Sequence, residues 1–161
     1  MNESSSQQRD ATPGRIAGID YGTVRIGVAL ADQRVGIASP YENYTRSGEE
    51  SDAKFFQQLA AEEQITRFVV GLPIHLDGSE SQKSTEARAF GAWLEQVTHV
   101  PVDYFDERFT SAEALQYLAD AQLTKKKRKA RIDKVAAQIM LASYLESHDK
   151  GSLGDTNASL D

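Results

Sequence analysis

The stretch RIAGIDYGTVRIGVALADQRVGIA, Arg15–Ala38, sets the architecture of this chain. It begins with Arg15–Tyr21, a short apolar run whose length and composition are typical of a strand buried on both faces. After a turn at Gly22, Val24–Ala31 alternates apolar with other residues at the period of two that a strand shows. A third short strand is predicted at Val35–Ala38. Strands this close together can only form an antiparallel meander, because a parallel crossover needs about a dozen residues or more.

Beyond Pro40 the apolar spacing lengthens, and helices alternate with strands. Periodicity predicts helices at Asp52–Gln64, Ser84–Val97, Thr110–Ala119 and Asp133–Glu146, strands at Arg67–Val70 and Val100–Phe105, and a loop at Gly71–Ser81. A meander followed by this alternation predicts an α/β fold in which two parallel strands extend the sheet and helices cover both faces. Residues 1–14 and 147–161 are polar and lack apolar periodicity, so we predict disordered tails around one domain, residues 15–146.

Composition excludes several classes of protein. The chain has 161 residues, 40% of them hydrophobic and 26% charged, which is typical of one globular domain. Without cysteine there is no disulfide framework, no thiol nucleophile and no Cys-based zinc site, and the three histidines are scattered. The first ten residues lack the apolar core of a signal peptide, and no stretch is long enough to span a membrane. We therefore expect a cytoplasmic protein.

Acidic side chains stand at the ends of the predicted elements. Asp20 ends the first strand, Asp106 and Glu107 follow the last strand, and Asp133 begins the last helix. Sites in α/β sheets form outside the carboxyl ends of the strands, and a helix packed across that edge would bring Asp133 there too. Carboxylates this close need a cation, and oxygen ligands without Cys or His favour Mg²⁺ or Mn²⁺. Such a site suits phosphodiester hydrolysis.

Each of these acids also has a purely structural interpretation. Asp20 can shape the turn that follows it, and Asp133 can be the N-cap of its helix. Asp106 and Glu107 can pair with Arg108. Because neighbouring residues of a strand point to opposite faces, only one of these two acids should lie beside Asp20. Periodicity does not say which one.

A basic segment precedes the last helix. Residues 125–134 hold seven basic side chains against one acidic side chain, in a chain whose net charge is -6. Concentrated charge can bind a polyanion even on an acidic protein, because screening makes local charge matter more than the total. A solvated loop is the alternative for a run of lysines. The predicted nucleic-acid-binding residues are Lys125, Lys126, Lys127, Arg128, Lys129 and Arg131.

Four motifs extend over most of the predicted domain. They are IDYGTVRIGVAL (Ile19–Leu30), GLPIHLDGSE (Gly71–Glu80), FDERFTSAEA (Phe105–Ala114) and RIDKVAAQIMLASYL (Arg131–Leu145). Together they resemble the YqgF family, also called RuvX. The resemblance implies a ribonuclease H-like fold with a five-stranded mixed sheet of order 3-2-1-4-5. It also implies a metal-dependent nuclease that matures the 5′ end of the 16S ribosomal RNA precursor, with a Holliday junction (branched DNA) resolvase as the alternative.

The resemblance also implies roles for individual residues. Asp20, Glu107 and Asp133 match the family's acidic positions, so they are the predicted catalytic residues and ligands of Mg²⁺ or Mn²⁺. Asp106 fits the same motif as Glu107, in a supporting catalytic role. The expected partner is nucleic acid, either the ribosomal RNA precursor or branched DNA.

The residues are also compatible with two other classes of function. The D-x-G-T pattern of Asp20–Thr23 resembles the first phosphate loop of the actin, sugar kinase and heat-shock ATPase superfamily. Those proteins enclose the nucleotide between two domains, whereas this chain has room for one, and it contains no Walker-type glycine-rich string. A non-catalytic nucleic-acid-binding module on the same fold is the other alternative.

Overall fold

The computed structural model describes residues 14–111 and 134–148. Within them, residues 134–148 are helical (α3), and Glu107–Phe109 forms a short 3-10 helix. The predicted helix at Thr110–Ala119, the basic segment and Asp133 lie wholly or mostly outside the described residues, as do most residues of the two predicted tails. The other elements are β1 Arg15–Asp20, β2 Arg25–Asp32, β3 Ala38–Thr45, α1 Glu49–Glu62, β4 Ile65–Leu72, α2 Gln82–Thr98 and β5 Val102–Asp106.

The five strands form one mixed sheet in the order β3-β2-β1-β4-β5. The pairs β1–β2 and β2–β3 are antiparallel, whereas β1–β4 and β4–β5 are parallel. The predicted meander and the ribonuclease H-like order 3-2-1-4-5 are confirmed. β1 takes the central position because Ile16, Ala17 and Ile19 present buried apolar side chains to both faces of the sheet.

The prediction of a third strand at Val35–Ala38 is wrong. Val35 lies in a turn in which its N–H and that of Gly36 both donate to the Asp32 carbonyl, and the side chain of Val35 is 65% exposed. β3 begins only at Ala38 and continues through Pro40. β3 accommodates Pro40 because it is an edge strand, where a missing N–H costs no ladder hydrogen bond on the open side.

The helices cover both faces of the sheet, as predicted. α1 and α2 pack on one face around Phe56, Phe68 and Phe90. α3 packs on the other face, where it crosses β1 at Gly18. A Cβ on Gly18 would lie only 2.8 Å from Leu141 Cβ, so the absence of a side chain there sets the distance between helix and sheet.

α2 begins two residues before its predicted start. The Ser81 hydroxyl accepts a hydrogen bond from the Ser84 N–H (3.0 Å), and the Ser84 hydroxyl accepts one from the Ser81 N–H (2.9 Å). This reciprocal capping box fixes the entry of the helix beside the carboxyl ends of the strands. Across the described part of the chain, no helix is apolar and long enough to pass through a membrane.

Candidate active site

A cleft of about 390 Å³ opens at the carboxyl ends of the central strands. Asp20, the last residue of β1, lines it, and so does Glu107, which follows β5. Between them β4 contributes Gly71 to the lining. The predicted convergence of Asp20 with one acid of the Asp106–Glu107 pair is therefore present, because all three strands end at the same edge of the sheet.

Glu107 occupies the space that a side chain on Gly71 would fill. A Cβ at position 71 would lie 2.7 Å from Glu107 Oε1 and 3.2 Å from Met140 Cγ on α3. The carboxylate of Glu107 thus lies against the β4 backbone on the face that α3 covers. Only glycine at position 71 allows this close approach without displacing the carboxylate.

The environment of Glu107 is unfavourable for its negative charge. Partial burial raises the pKa of its carboxyl, and the like charge of Asp106 raises it further. A bound divalent cation would relieve both effects, since it supplies the opposite charge to a carboxylate that has lost much of its water. The oxygen donors of Asp20 and Glu107 are ligands that Mg²⁺ and Mn²⁺ prefer, so these residues fit such a cation.

Asp106 is held by its own turn instead of facing the cleft. Its Oδ2 accepts hydrogen bonds from Arg108 Nη2 (2.6 Å) and Nε (2.9 Å), and its Oδ1 accepts one from the Arg108 N–H (3.0 Å). The hydrogen bonds from Arg108 hold the pKa of Asp106 below its usual value. Of the two candidate acids, it is Glu107 that lines the cleft with Asp20. Asp106 fastens the turn that carries Glu107.

Two charged residues of α2 join the cleft, and sequence reasoning missed both. Lys83 and Glu86 line it together with Ala87. The prediction of this helix rests on its apolar residues, and its predicted start at Ser84 leaves Lys83 outside the helix. The available signal was the spacing itself: positions 83, 86 and 87 lie three and four residues apart, on one face of a helix. Lys83 brings a positive charge to the same opening as the two acids.

The first described residue of α3 contacts β3 at the position that lies level with Asp20 across the sheet. The Lys134 N–H donates a 2.7 Å hydrogen bond to Asn43 Oδ1 on β3. Asn43 pairs with Gly27, and Gly27 pairs with Asp20. Asp133 and the six basic candidates themselves lie outside the described residues. Within the described residues, no three His, Asp or Glu side chains form a metal-binding group. Two of the three predicted ligands, Asp20 and Glu107, line the cleft.

Known proteins resemble the chain in sequence and in fold. The family model described as "RuvX: Holliday junction resolvase" matches residues 14–147. A Rhodopirellula baltica protein named "Putative pre-16S rRNA nuclease" is 48% identical over 149 residues, which are 91% of this chain and 86% of the relative. A Neisseria gonorrhoeae protein of the same name is 41% identical over 135 residues, 83% of this chain and 88% of the relative.

Solved structures of DNA junction resolvases share the fold. Thermus thermophilus RuvC in complex with a Holliday junction matches with a TM-score of 0.55 at 14% identity, over 84% of this chain and 95% of that one. The fowlpox virus resolvase in its junction complex matches with a TM-score of 0.50 at 12% identity, over 83% of this chain and 97% of that one. At these identities the likeness concerns the fold alone. The family assignment comes from the sequence matches over nearly the whole chain: this chain belongs to the RuvX family of nucleases.

Proposed function

We propose that this nuclease is divalent-metal-dependent and that it hydrolyses phosphodiester bonds at the 5′ end of the 16S ribosomal RNA precursor. The observation that carries the metal dependence is the convergence of Asp20 and Glu107 in one cleft, with Glu107 half-buried at a raised pKa. The choice of RNA rests on the name shared by relatives that match most of this chain. A cytoplasmic location follows from that substrate.

The catalytic residues we propose are Asp20, Glu107 and Asp133, which would hold Mg²⁺ or Mn²⁺ together. When bound, the cation lowers the pKa of an attacking water and offsets the charge that develops on the phosphate. Asp20 would hold it from the end of β1, and Glu107 would hold it from the turn that follows β5. The hydrogen bond from the Lys134 N–H to Asn43 supports Asp133 as the third ligand, because Asp133 is bonded directly to Lys134.

Two further groups assist without binding the cation. Lys83 is placed to contact a phosphate oxygen of a strand that enters the cleft, since its ammonium offsets the repulsion between substrate and acids. Asp106 acts as a positioning residue, because its ion pair with Arg108 stabilises the turn from which Glu107 extends.

We assign the nuclease to a domain of residues 15–146 with the tails outside it.

The basic segment is proposed as a clamp on the phosphate backbone. Its six residues, Lys125 to Lys129 with Arg131, precede Asp133 and supply the positive charge that a protein of net charge -6 needs near its substrate. Such contacts fix the position of the strand and do not read its sequence.

A branched DNA junction is the second candidate substrate. The description of the family model as a Holliday junction resolvase favours it. The discriminating experiment offers the purified protein a precursor RNA with its 5′ extension and a synthetic four-way DNA junction, in parallel, with Mg²⁺, with Mn²⁺ and with EDTA. We expect metal-dependent cleavage of the RNA at its 5′ extension.

The variant for this assay is Asp20→Asn, which removes one carboxylate charge with little change in size. Cleavage should fall by at least about a hundredfold, comparable with the loss of a key electrostatic stabiliser. The matched control is Glu50→Gln, the same charge change on a side chain of α1 that is 90% exposed, and it should cleave like the wild type. Cleavage in EDTA would contradict metal dependence, and cleavage of the junction alone would replace the RNA substrate.

A further inference from the structure

A second groove of about 270 Å³ adjoins the cleft on the side of α1 and α2. Tyr21 and Glu86 line both cavities, so the groove lies directly beside the cleft. Three of the seven described residues that line it are aromatic: the rings of Tyr21 and Phe90 lie 5.0 Å apart, and those of Phe90 and Trp93 lie 5.4 Å apart, measured between centroids. Phe90 is buried, whereas Tyr21 and Trp93 keep part of their surface exposed.

Arg46 forms one wall of this groove, and its guanidinium is held in place. Its Nε donates to Asp52 Oδ2 (3.1 Å) and its Nη1 donates to the Tyr21 hydroxyl (3.3 Å). The guanidinium carbon lies 5.6 Å from the centroid of the Tyr21 ring and 5.8 Å from that of Phe90. The side chain of Arg46 nevertheless remains 28% exposed. A planar cation anchored beside aromatic rings is a rigid surface on which a flat, unpaired base can stack.

The charges of the groove favour a base over a phosphate. Among the described residues that line it, two carboxylates, Glu49 and Glu86, stand with one cation, Arg46. A phosphate would be repelled by this pair, whereas carboxylates accept hydrogen bonds from the amino and imino groups of a base. The positive side chain of Lys83 lies in the adjoining cleft. The molecule therefore separates a base-compatible groove from a phosphate-compatible cleft, with Tyr21 between them.

We propose that this groove binds one unpaired nucleobase next to the phosphodiester bond that is cleaved. The proposal rests on the proposed function and narrows its substrate class to strands that are unpaired beside the cleavage site. A volume of about 270 Å³ holds one base and not a base pair. A base in a continuous duplex is stacked and paired, so it cannot enter without being flipped out.

The test separates binding from cleavage. The cleavage-deficient Asp20→Asn protein is titrated into a short fluorescein-labelled single-stranded RNA, and affinity is measured by fluorescence anisotropy with Mg²⁺. A set of strands, each with one abasic nucleotide, locates the base that matters. One abasic position should weaken binding about tenfold, the scale of the loss of one stacked base. Annealing the intact strand to its complement should weaken binding by at least as much.

Ala89→Leu tests whether this base occupies the groove. Ala89 is exposed on α2 and lines the groove, so a leucine there fills it without disturbing the core. In this variant the intact strand should bind about tenfold more weakly, and the abasic penalty should disappear. Ala92→Leu is the matched control, the same change at an exposed position of α2 that is not among the lining residues of the groove.

Each outcome decides the proposal. Loss of the abasic penalty in Ala89→Leu but not in Ala92→Leu supports it. A wild-type-like penalty in Ala89→Leu, equal losses in both variants, no sensitive abasic position, or unchanged affinity for the annealed duplex would overturn it. These are binding results, so they stand apart from the cleavage assay: a protein that cuts RNA but shows no abasic penalty contradicts the groove alone, whereas failure to cut contradicts the proposed nuclease substrate.

Discussion

Asp52 and Glu107 are both shielded from water, but their surroundings shift the pKa of the two carboxyls in opposite directions. Asp52, in the first turn of α1, is 1% exposed and accepts hydrogen bonds from the Tyr44 hydroxyl (2.7 Å), Arg46 Nε (3.1 Å) and the Ser47 N–H (3.1 Å). Burial by itself would raise the pKa of Asp52, but these donors hold it below its usual value. For Glu107, which is half-buried, desolvation and Asp106 act in the same direction, and both raise the pKa.

The difference distinguishes an acid that stabilises the fold, Asp52, from the proposed catalytic acid, Glu107. At Asp52 the fold surrounds a charge with donors, so the ionised form stabilises the native state. At Glu107 the described residues leave the ionised form at a cost, which a cation or a proton would relieve. An acid whose only role is to stabilise the fold gains nothing from surroundings that disfavour its ionised form. Substitutions at Asp52 and Glu107 test this contrast directly.

Glu107→Gln should uncouple activity from stability. Cleavage should fall by at least about a hundredfold, since one proposed ligand of the cation is lost. In EDTA at neutral pH the Tm should rise above that of the wild type, because a partly buried charge has been removed. Mg²⁺ should raise the Tm of the wild type more than that of the variant. Thermal unfolding followed by circular dichroism, alongside the cleavage assay, measures both effects.

The pH dependence of that Tm difference has a defined sign. The folded pKa of Glu107 lies above the unfolded value of about 4.3, so the native state binds the proton more tightly. Its contribution to stability is present at low pH and is lost as the pH rises through the folded pKa. The Tm advantage of Glu107→Gln should therefore grow from about pH 4 upward.

If Asp106→Asn abolished cleavage while Glu107→Gln retained it, the assignment of the two acids would be reversed.

Asp52→Asn should do the opposite and lower stability. Loss of the charge-assisted hydrogen bonds should lower the free energy of unfolding by about 2 kcal/mol, or roughly 4–8 °C in Tm for a chain of this size. Because the folded pKa of Asp52 is depressed, its contribution is present above about pH 3.9 and is lost as the pH falls through the folded pKa. The difference from the wild type should thus shrink in acid. A Tm equal to that of the Glu50→Gln control at neutral pH would contradict this role.

Gly71→Ala should move the Glu107 carboxylate without unfolding the protein. The added Cβ meets Oε1 at 2.7 Å, and that atom is the end of a flexible side chain that can rotate away. Stability should change by less than about 1 kcal/mol, while kcat should fall about tenfold or more, as expected for a displaced catalytic group. Unchanged kcat would mean that the position of this carboxylate is not critical.

The smallest effect is expected from the basic segment. Replacing Lys125, Lys126 and Lys127 with Ala should make the dependence of log affinity on log salt shallower, by roughly 0.7 for each phosphate of a single strand that the variant no longer neutralises. Cleavage at saturating substrate should change little, because these residues position the backbone. Binding titrations at several salt concentrations give the slope. An identical slope would mean that the run of lysines is a solvated loop.

The choice between Asp106 and Glu107 shows where sequence reasoning stops. β5 carries large side chains on both faces: Tyr104 packs on α2 at Gly91, and Phe105 packs against Tyr144 of α3. With both faces partly apolar, the alternation of β5 does not reveal which face shares the site with Asp20. Phe105 packs under α3, which shows which face of the sheet this residue is on. Glu107, two residues later, lies on that same face, against Gly71.

Local sequence was enough to establish the sheet and the family. The apolar run of β1, the short spacings of the meander and the four motifs are local features, and local sterics and periodicity are enough to interpret them. They did not establish the start of β3, because Val35 and Ile37 have strand propensity but lie 65% exposed before it, whereas β3 itself is largely exposed and shows no apolar alternation. Nor did they reveal the aromatic groove, whose residues Tyr21, Arg46 and Trp93 come from separate segments. These side chains meet because α2 packs on the sheet and because Arg46 donates a hydrogen bond to the hydroxyl of Tyr21, 25 residues earlier in the chain.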